Sequence, residues 1–147
     1  MARQQENRMR STVLNIATAC LLDRNGRILV VRKRDTRMFM LPGGKLENAE
    51  APIQALQREL FEELDLRIDQ SQLHSLGHFQ SRAANEPDHW VEAEVFIGYL
   101  TGEVRVQAEL EEMIWIDIHA QQQEHLAPLL REQVLPALRR WLSTDRR

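Results

Sequence analysis

Three carboxylates share one face of a predicted helix. Glu59, Glu62 and Glu63 stand at positions i, i+3 and i+4, and side chains at these spacings are neighbours on a helix. Like charges at such spacings repel by roughly 0.2–0.5 kcal/mol per pair on an exposed helix, so a purely structural helix gains nothing from them. A hard divalent cation such as Mg²⁺ would remove the repulsion, because carboxylate oxygens are its preferred ligands. The spacing therefore fits a metal site, and a solvated charged face is the alternative that the spacing alone would favour.

A loop and a helix must position these glutamates. The run Pro42-Gly43-Gly44 is predicted to be a loop, since these residues break both helices and strands. Pro52 suits the first turn of a helix, where its missing N–H costs nothing. The glutamates lie off the apolar stripe that follows, so the helix should pack one side on a core and show its carboxylates to a cleft. The stripe has spacings of 3, 4 and 4 and consists of Ile53, Leu56, Leu60 and Leu64.

The remaining pattern predicts a mixed α/β domain built in layers. A helical pattern covers residues 124–142, and Pro128 and Pro136 interrupt it, which leaves two helices or one kinked helix as alternatives. A turn is expected at residues 23–26. Strands are expected at residues 13–22, 27–34, 73–80, 90–100, 104–106 and 114–118.

Length and composition favour one ordinary globular domain. The chain has 147 residues, of which 43% are hydrophobic and 28% charged, and its net charge of −3 gives no general attraction to nucleic acid or anionic membranes. The polar residues 1–11 are predicted to be a flexible tail rather than a signal peptide, followed by a single domain over residues 12–147. The longest apolar stretch, residues 13–22, is too short to span a bilayer. A single cysteine, Cys20, suits a reducing compartment, so we expect a cytoplasmic protein.

Residues 44–66 resemble the Nudix box, the pattern Gly-x5-Glu-x7-Arg-Glu-U-x-Glu-Glu-x-Gly-U, in which U is a bulky aliphatic residue. Every fixed position matches except one, because Asp65 stands where the family has Gly. The chain needs a left-handed residue after the helix, and Asp is among the few residues other than Gly that adopt this conformation. We therefore expect a small loss of stability and no loss of chemistry.

The resemblance implies an α/β/α sandwich with a mixed sheet, a loop-helix-loop formed by the box, and a C-terminal helix. It also implies Mg²⁺-dependent hydrolysis, with Mn²⁺ as an alternative ion, of a pyrophosphate bond in a nucleoside diphosphate linked to another group. The short chain resembles enzymes that clean the nucleotide pool, so a nucleoside or deoxynucleoside triphosphate is the leading substrate and oxidised purine nucleotides a narrower version. The expected partner is a small nucleotide or another diphosphate, with no membrane or stable nucleic-acid partner; a homodimer is left open.

The resemblance also assigns roles to the residues of the box. Glu59, Glu62 and Glu63 would be the metal ligands, and either Glu62 or Glu63 would also act as the base for the attacking water. Arg58 would orient a box glutamate. Glycine lets backbone approach a phosphate closely, and cations attract phosphate. On these grounds the expected substrate-binding residues are Gly43, Gly44, Lys45, Arg32 and Arg34.

One further catalytic acid is expected outside the box. Family members often place an acidic residue ahead of a later strand that contains tryptophan, and Trp115 marks that strand here. Glu109 matches this position best. Glu111 and Glu112 are close rivals, and Glu94 on an earlier strand is another candidate.

Two other function classes stay open. A prenyl-diphosphate isomerase on the same fold would need a catalytic cysteine, and Cys20 lies in a predicted strand distant from the box. A nucleotide-sensing module without turnover would usually have a broken box, whereas the box here is intact apart from Asp65.

Overall fold

A mixed sheet with helices on both faces forms the described part of the protein. The computed structural model describes residues 12–84, 86–107, 109–121 and 124–144, so the predicted tail at residues 1–11 lies outside the described residues. A 3₁₀ turn is formed by Gln70–Gln72 and a π-helical stretch by Leu129–Val134. The elements are β1 (Thr12–Leu22), β2 (Arg27–Lys33), β3 (Gly43–Lys45), α1 (Pro52–Leu64), β4 (His74–Arg82), β5 (His89–Tyr99), β6 (Leu110–Asp117) and α2 (Leu135–Thr144).

The strand β1 occupies the centre of the sheet. Within the described ranges the sheet has six strands, five of them in the order β4-β5-β1-β2-β6, with β3 paired to β1 off this path. The pairing of β1 with β5 is parallel, and the other pairings are antiparallel. Thr18 on β1 lies opposite Val95 on β5 and Gly43 on β3. The residues that open the box are therefore held directly against the central strand.

Both faces of the sheet are covered by apolar side chains from a helix. Residues 17, 19 and 21 of β1 are buried in one cluster with the apolar stripe of α1, whereas residues 20 and 22 are buried in a second cluster with the C-terminal helical segment. This alternation is the period of two that a strand buried on both faces shows. The predicted α/β/α sandwich is confirmed.

The box helix begins and ends as the sequence predicts. Pro52 starts α1 and Leu64 ends it. Asp65 then adopts the left-handed conformation, with φ 53° and ψ 37°, and its N–H donates to the carbonyl of Phe61 at 3.0 Å. Aspartate thus replaces the usual glycine without changing the helix end, at the steric cost that a side chain pays in this conformation.

The prediction of a loop at residues 42–44 holds for Pro42 and is wrong for Gly43 and Gly44, because Gly43–Lys45 forms the strand β3. Gly43 has a φ of 140°, a region that side chains rarely adopt. A Cβ at Gly43 would lie 2.2 Å from the carbonyl oxygen of Ala17, so only glycine lets the backbone pair with β1 at this distance. Glycine usually disfavours a strand, but at Gly43 the absence of a side chain is what allows the strand to form.

The predicted strand at residues 104–106 is also wrong, since this segment pairs with a helix end. The backbone N–H of Arg105 donates to the carbonyl of Leu64 at 3.2 Å, and the N–H of Gln107 donates to that of Glu63 at 2.8 Å. The last carbonyls of a helix have no partner within the helix, so a neighbouring chain segment can satisfy them. The contact fixes the segment before β6 against the glutamate-bearing helix.

The C-terminal helical pattern forms one continuous stretch with a change of winding. Leu129–Val134 is π-helical and Leu135–Thr144 is α-helical, with Pro136 in the first turn of α2. The stretch starts later than predicted, because Leu126 pairs with Phe39 in a parallel bridge instead. In the ranges that the structure describes, none of the helices has the length and apolarity needed to cross a membrane.

Candidate functional site

Glu63 is the buried member of the three box glutamates. Glu63 is 7% exposed, and its Oε1 accepts a hydrogen bond from the N–H of Gly43 at 3.2 Å. Burial raises the pKa of Glu63 to about 8, even though the Gly43 N–H favours the charged form. The expectation that all three carboxylates face a cleft is therefore wrong for Glu63. Positions 56, 60 and 63 lie on one helix face, and this face packs on the sheet.

Glu59 occupies the space that the missing side chain of Gly44 leaves. A Cβ placed at Gly44 would lie 2.4 Å from the carboxyl carbon of Glu59. The Glu59 side chain is 18% exposed, and burial raises its pKa against the opposing effect of Arg58. Gly44 thus allows a carboxylate to lie directly on the backbone of β3.

Arg58 links the helix, the box loop and two of the glutamates. Its Nε and Nη2 donate to Glu50 at 2.8 and 2.9 Å, and Nη2 also donates to the carbonyl of Lys45 at 3.1 Å. Its Nη1 lies 3.1 Å from Glu59 and 3.5 Å from Glu62. The bidentate pairing with Arg58, helped by the N–H of Glu47, lowers the pKa of Glu50 to about 2. Arg58 is therefore held in place beside both carboxylates.

Glu62 is the most open of the three glutamates. Its side chain is 53% exposed, compared with 18% for Glu59. In the parts of the chain that the structure describes, no three His, Cys, Asp or Glu side chains already converge to hold a metal ion. The Gly43 N–H binds Glu63, whereas the Arg58 guanidinium binds Glu59 and lies 3.5 Å from Glu62.

Among the candidate acids outside the box, Glu109 is the one whose charge acts on the glutamate cluster. Burial is the main cause of the raised pKa of Glu63, and the negative charge of Glu109 adds to it. Glu109 also lies 3.8 Å from Lys33. The other candidates pair elsewhere: Glu111 with Arg34 at 3.8 Å, Glu112 with Arg32 at 2.9 Å and Glu94 with His78 at 2.9 Å.

The predicted cations lie in different surroundings. Arg32 donates to the carbonyl of Thr36 at 2.8 Å and lies 6.0 Å from the ring of Phe39, a residue of the cluster on the α2 face. Lys45 is exposed at the end of β3. The sequence places Lys33 in the same run of phosphate-steering cations as Arg32 and Arg34, but it was not selected as a binding residue. Lys33 follows Leu29 and Val31 at a spacing of two. These two residues are buried against α1, so the period of two places Lys33 on the glutamate face.

A family model described as NUDIX domain matches residues 13–138 of the chain. The chain belongs to the Nudix family. A MutT-like protein from Streptomyces ambofaciens is 39% identical over 49 residues, which are 33% of this chain and 32% of that protein. The chain thus spans about a third of the length of this relative.

Solved structures of other Nudix proteins share the fold. A MutT/nudix family protein from Enterococcus faecalis superposes with a TM-score of 0.74 and 17% identity, covering 90% of this chain and 63% of that one. The MutT protein from Methanosarcina mazei Go1 gives 0.71 and 20% identity, covering 94% and 99%. At these identities the likeness shows the fold.

The Nudix box of this chain fits a hard divalent cation by its chemistry. Nudix hydrolases generally use divalent metal ions. The available donors on α1 are carboxylate oxygens, the ligands that Mg²⁺ and Mn²⁺ prefer. Glu63 is buried, and its carboxylate accepts a hydrogen bond from the neutral N–H of Gly43 rather than from a cationic side chain, so burial disfavours its charged form. A cation beside Glu63 would stabilise that charged form, so Glu59, Glu62 and Glu63 are suited to hold one.

Proposed function

We propose that the protein hydrolyses a pyrophosphate bond in a nucleoside diphosphate linked to another group, with Mg²⁺ as the ion and Mn²⁺ as an alternative. The leading substrate is a nucleoside or deoxynucleoside triphosphate. One observation carries the proposal: Gly43 and Gly44 bring the backbone of β3 against the carboxylates of Glu63 and Glu59. This arrangement puts carboxylates that can hold a divalent ion beside a backbone that a phosphate can approach closely, which supports cleavage of a charged phosphate substrate.

The residues of the box would have different roles in hydrolysis. A bound divalent ion would neutralise phosphate charge and lower the pKa of water. Glu59, Glu62 and Glu63 would hold the ion, and Glu62 or Glu63 would accept the proton of the attacking water. Arg58 keeps Glu59 and Glu62 on the same side of α1 through its contacts at 3.1 and 3.5 Å. The backbone of β3 offers a surface that phosphate oxygens can approach closely.

The position of Cys20 argues against the isomerase alternative. Cys20 is 0% exposed, and burial raises the pKa of its thiol to about 12, so it is neither accessible nor ionised near neutral pH. It belongs to the cluster on the α2 face of the sheet, whereas the glutamates lie on the α1 face. A thiol in this position has no route to a substrate held by α1.

A nucleotide panel tests the proposed hydrolysis. The panel holds nucleoside and deoxynucleoside triphosphates, oxidised purine nucleotides, nucleoside diphosphate sugars and dinucleoside polyphosphates, each incubated with Mg²⁺, with Mn²⁺ and with EDTA. We expect one class to be cleaved with either ion and not with EDTA, and chromatography of the products to show which phosphate bond breaks. Failure to cleave any member with either ion would overturn the proposal. Binding without turnover would instead support the sensing module.

A further inference from the structure

Three cations at the end of β2 each face a carboxylate near the start of β6. Arg32 and Lys33 end β2 and Arg34 follows directly, so position in the sequence alone does not distinguish the three pairs. Two of the three pairs have their closest N···O distance at 3.8 Å, longer than a hydrogen bond. The pairs are Arg32–Glu112 at 2.9 Å, Lys33–Glu109 at 3.8 Å and Arg34–Glu111 at 3.8 Å.

A bulge in β6 separates the Lys33 pair from its neighbours. Arg32 lies opposite Glu112, but the next residue, Lys33, lies opposite Leu110, so β6 advances two residues while β2 advances one. A bulge of this kind changes the direction of nearby side chains. The N–H of Arg34 donates to the carbonyl of Glu109 at 2.9 Å and fixes the backbone beyond the bulge. The shift brings Glu109 to Lys33 on the face that α1 covers.

The charge of Lys33 acts on the box glutamates. Burial is the main cause of the raised pKa of Glu59 and of Glu63, and the positive charge of Lys33 opposes it at both residues. Glu109 is the ion-pair partner of Lys33, and its negative charge raises the pKa of Glu63, whereas the charge of Lys33 lowers it. Lys33 is therefore a cation within the electrostatic reach of the carboxylate cluster.

The ion pair of Lys33 and Glu109 is easily broken. The two side chains are 39% and 78% exposed, and exposed ion pairs contribute little stability. A pyrophosphate group carries several negative charges, whereas Glu109 carries one. Lysine binds phosphate as a flexible point charge, so Lys33 can leave its carboxylate for a stronger anion without disturbing β2.

We propose that Lys33 binds a phosphate oxygen of the substrate and that Glu109 is the partner it leaves when substrate arrives. This inference rests on the proposed function, because it places the phosphates of the substrate on the α1 face. Without substrate, Lys33 reduces the negative potential at the box carboxylates and so weakens their affinity for a divalent ion. With substrate, the same charge strengthens phosphate binding. Removing the charge should therefore change the two affinities in opposite directions.

Lys33→Met tests the inference, because methionine keeps an unbranched stem and removes the charge. Isothermal titration would measure the affinity for Mg²⁺ alone and then the affinity for inorganic pyrophosphate in the presence of Mg²⁺. We expect Mg²⁺ to bind roughly three- to tenfold more tightly and pyrophosphate at least about tenfold more weakly. Arg24→Met is the control, since it removes one positive charge from the exposed turn between β1 and β2 and should change neither affinity.

The outcomes separate this inference from the proposed function. Unchanged pyrophosphate affinity in Lys33→Met, or Mg²⁺ affinity that is unchanged or weaker, would overturn the role of Lys33. A loss of both affinities would indicate that Lys33→Met damages the fold. Lys33 would then have a purely structural role, which also contradicts the inference. Turnover by the wild-type protein is scored separately on the nucleotide panel. Pyrophosphate binding that depends on Lys33, without turnover, would support the inference and reject the hydrolase.

Discussion

Replacing Glu63 with glutamine should stabilise the metal-free protein at about pH 8 and, in the same variant, lower kcat by roughly 10²–10⁴-fold. The folded protein raises the pKa of Glu63 from 4.5 to about 8 and so binds its proton more tightly than the unfolded chain does. The stability from this residue is therefore complete below about pH 4.5 and is lost as the pH rises to about 8. The slope of the unfolding free energy should approach about 1.4 kcal/mol per pH unit.

Glutamine separates the two roles of this side chain. It keeps an oxygen that can accept from the N–H of Gly43, and it never ionises, so the decline of stability with pH should be absent. It can neither carry the charge that holds a divalent ion nor take a proton from water, so activity should fall.

Denaturant unfolding in EDTA across this pH range measures the stability of the Glu63→Gln protein. Glu62→Gln is the matched control, since it makes the same chemical change at a side chain that is 53% exposed and keeps Glu63, so the decline of stability between about pH 4.5 and 8 should remain. Parallel profiles for the wild type and Glu63→Gln, or a variant with full activity, would contradict the prediction.

Alanine at the two adjacent glycines of β3 should have opposite consequences. Gly44→Ala should lower turnover on the order of 10²-fold and change the free energy of unfolding by less than about 1 kcal/mol. The new Cβ meets the end of the Glu59 side chain, which can move aside and then no longer lies on β3. Gly43→Ala should cost about 3 kcal/mol or more, because its φ is 140° and the new Cβ meets the backbone of Ala17 and Thr18.

Thermal unfolding and turnover of both glycine variants provide the measurement, each variant serving as the control for the other. Comparable loss of stability in the two proteins would mean that Gly44, like Gly43, is needed only for the pairing of β3 with β1. Wild-type turnover in Gly44→Ala would mean that the position of the Glu59 carboxylate does not matter for the reaction.

The box helix could be predicted from sequence because its signals are local. Pro52 at its start, the apolar stripe and the left-handed residue at position 65 each act within a few residues, and the structure places α1 as predicted. The short strand β3 could not be predicted in this way. Gly43 and Gly44 are strand breakers in isolation, and only the close approach of β1 makes their missing side chains an advantage.

The sequence indicates which box carboxylates are neighbours, but it does not indicate how deeply each one is buried. The spacing of Glu59, Glu62 and Glu63 shows that they are neighbours, but the depth of each depends on how α1 lies on the sheet. The place of Lys33 could have been found from the alternation along β2. Its pairing with Glu109 could not, because it depends on a bulge in a strand about 80 residues further along the chain.

The most direct test of metal-assisted hydrolysis on α1 is the turnover of Glu62→Gln with Mg²⁺, on whichever substrate the nucleotide panel identifies. Glu103→Gln is the control, because it makes the same chemical change at an exposed position outside the site. We predict that Glu62→Gln loses at least about 10²-fold in kcat with an unchanged unfolding temperature, whereas Glu103→Gln matches the wild type. Wild-type kcat in Glu62→Gln would contradict the assignment of the reaction to the carboxylates of the box.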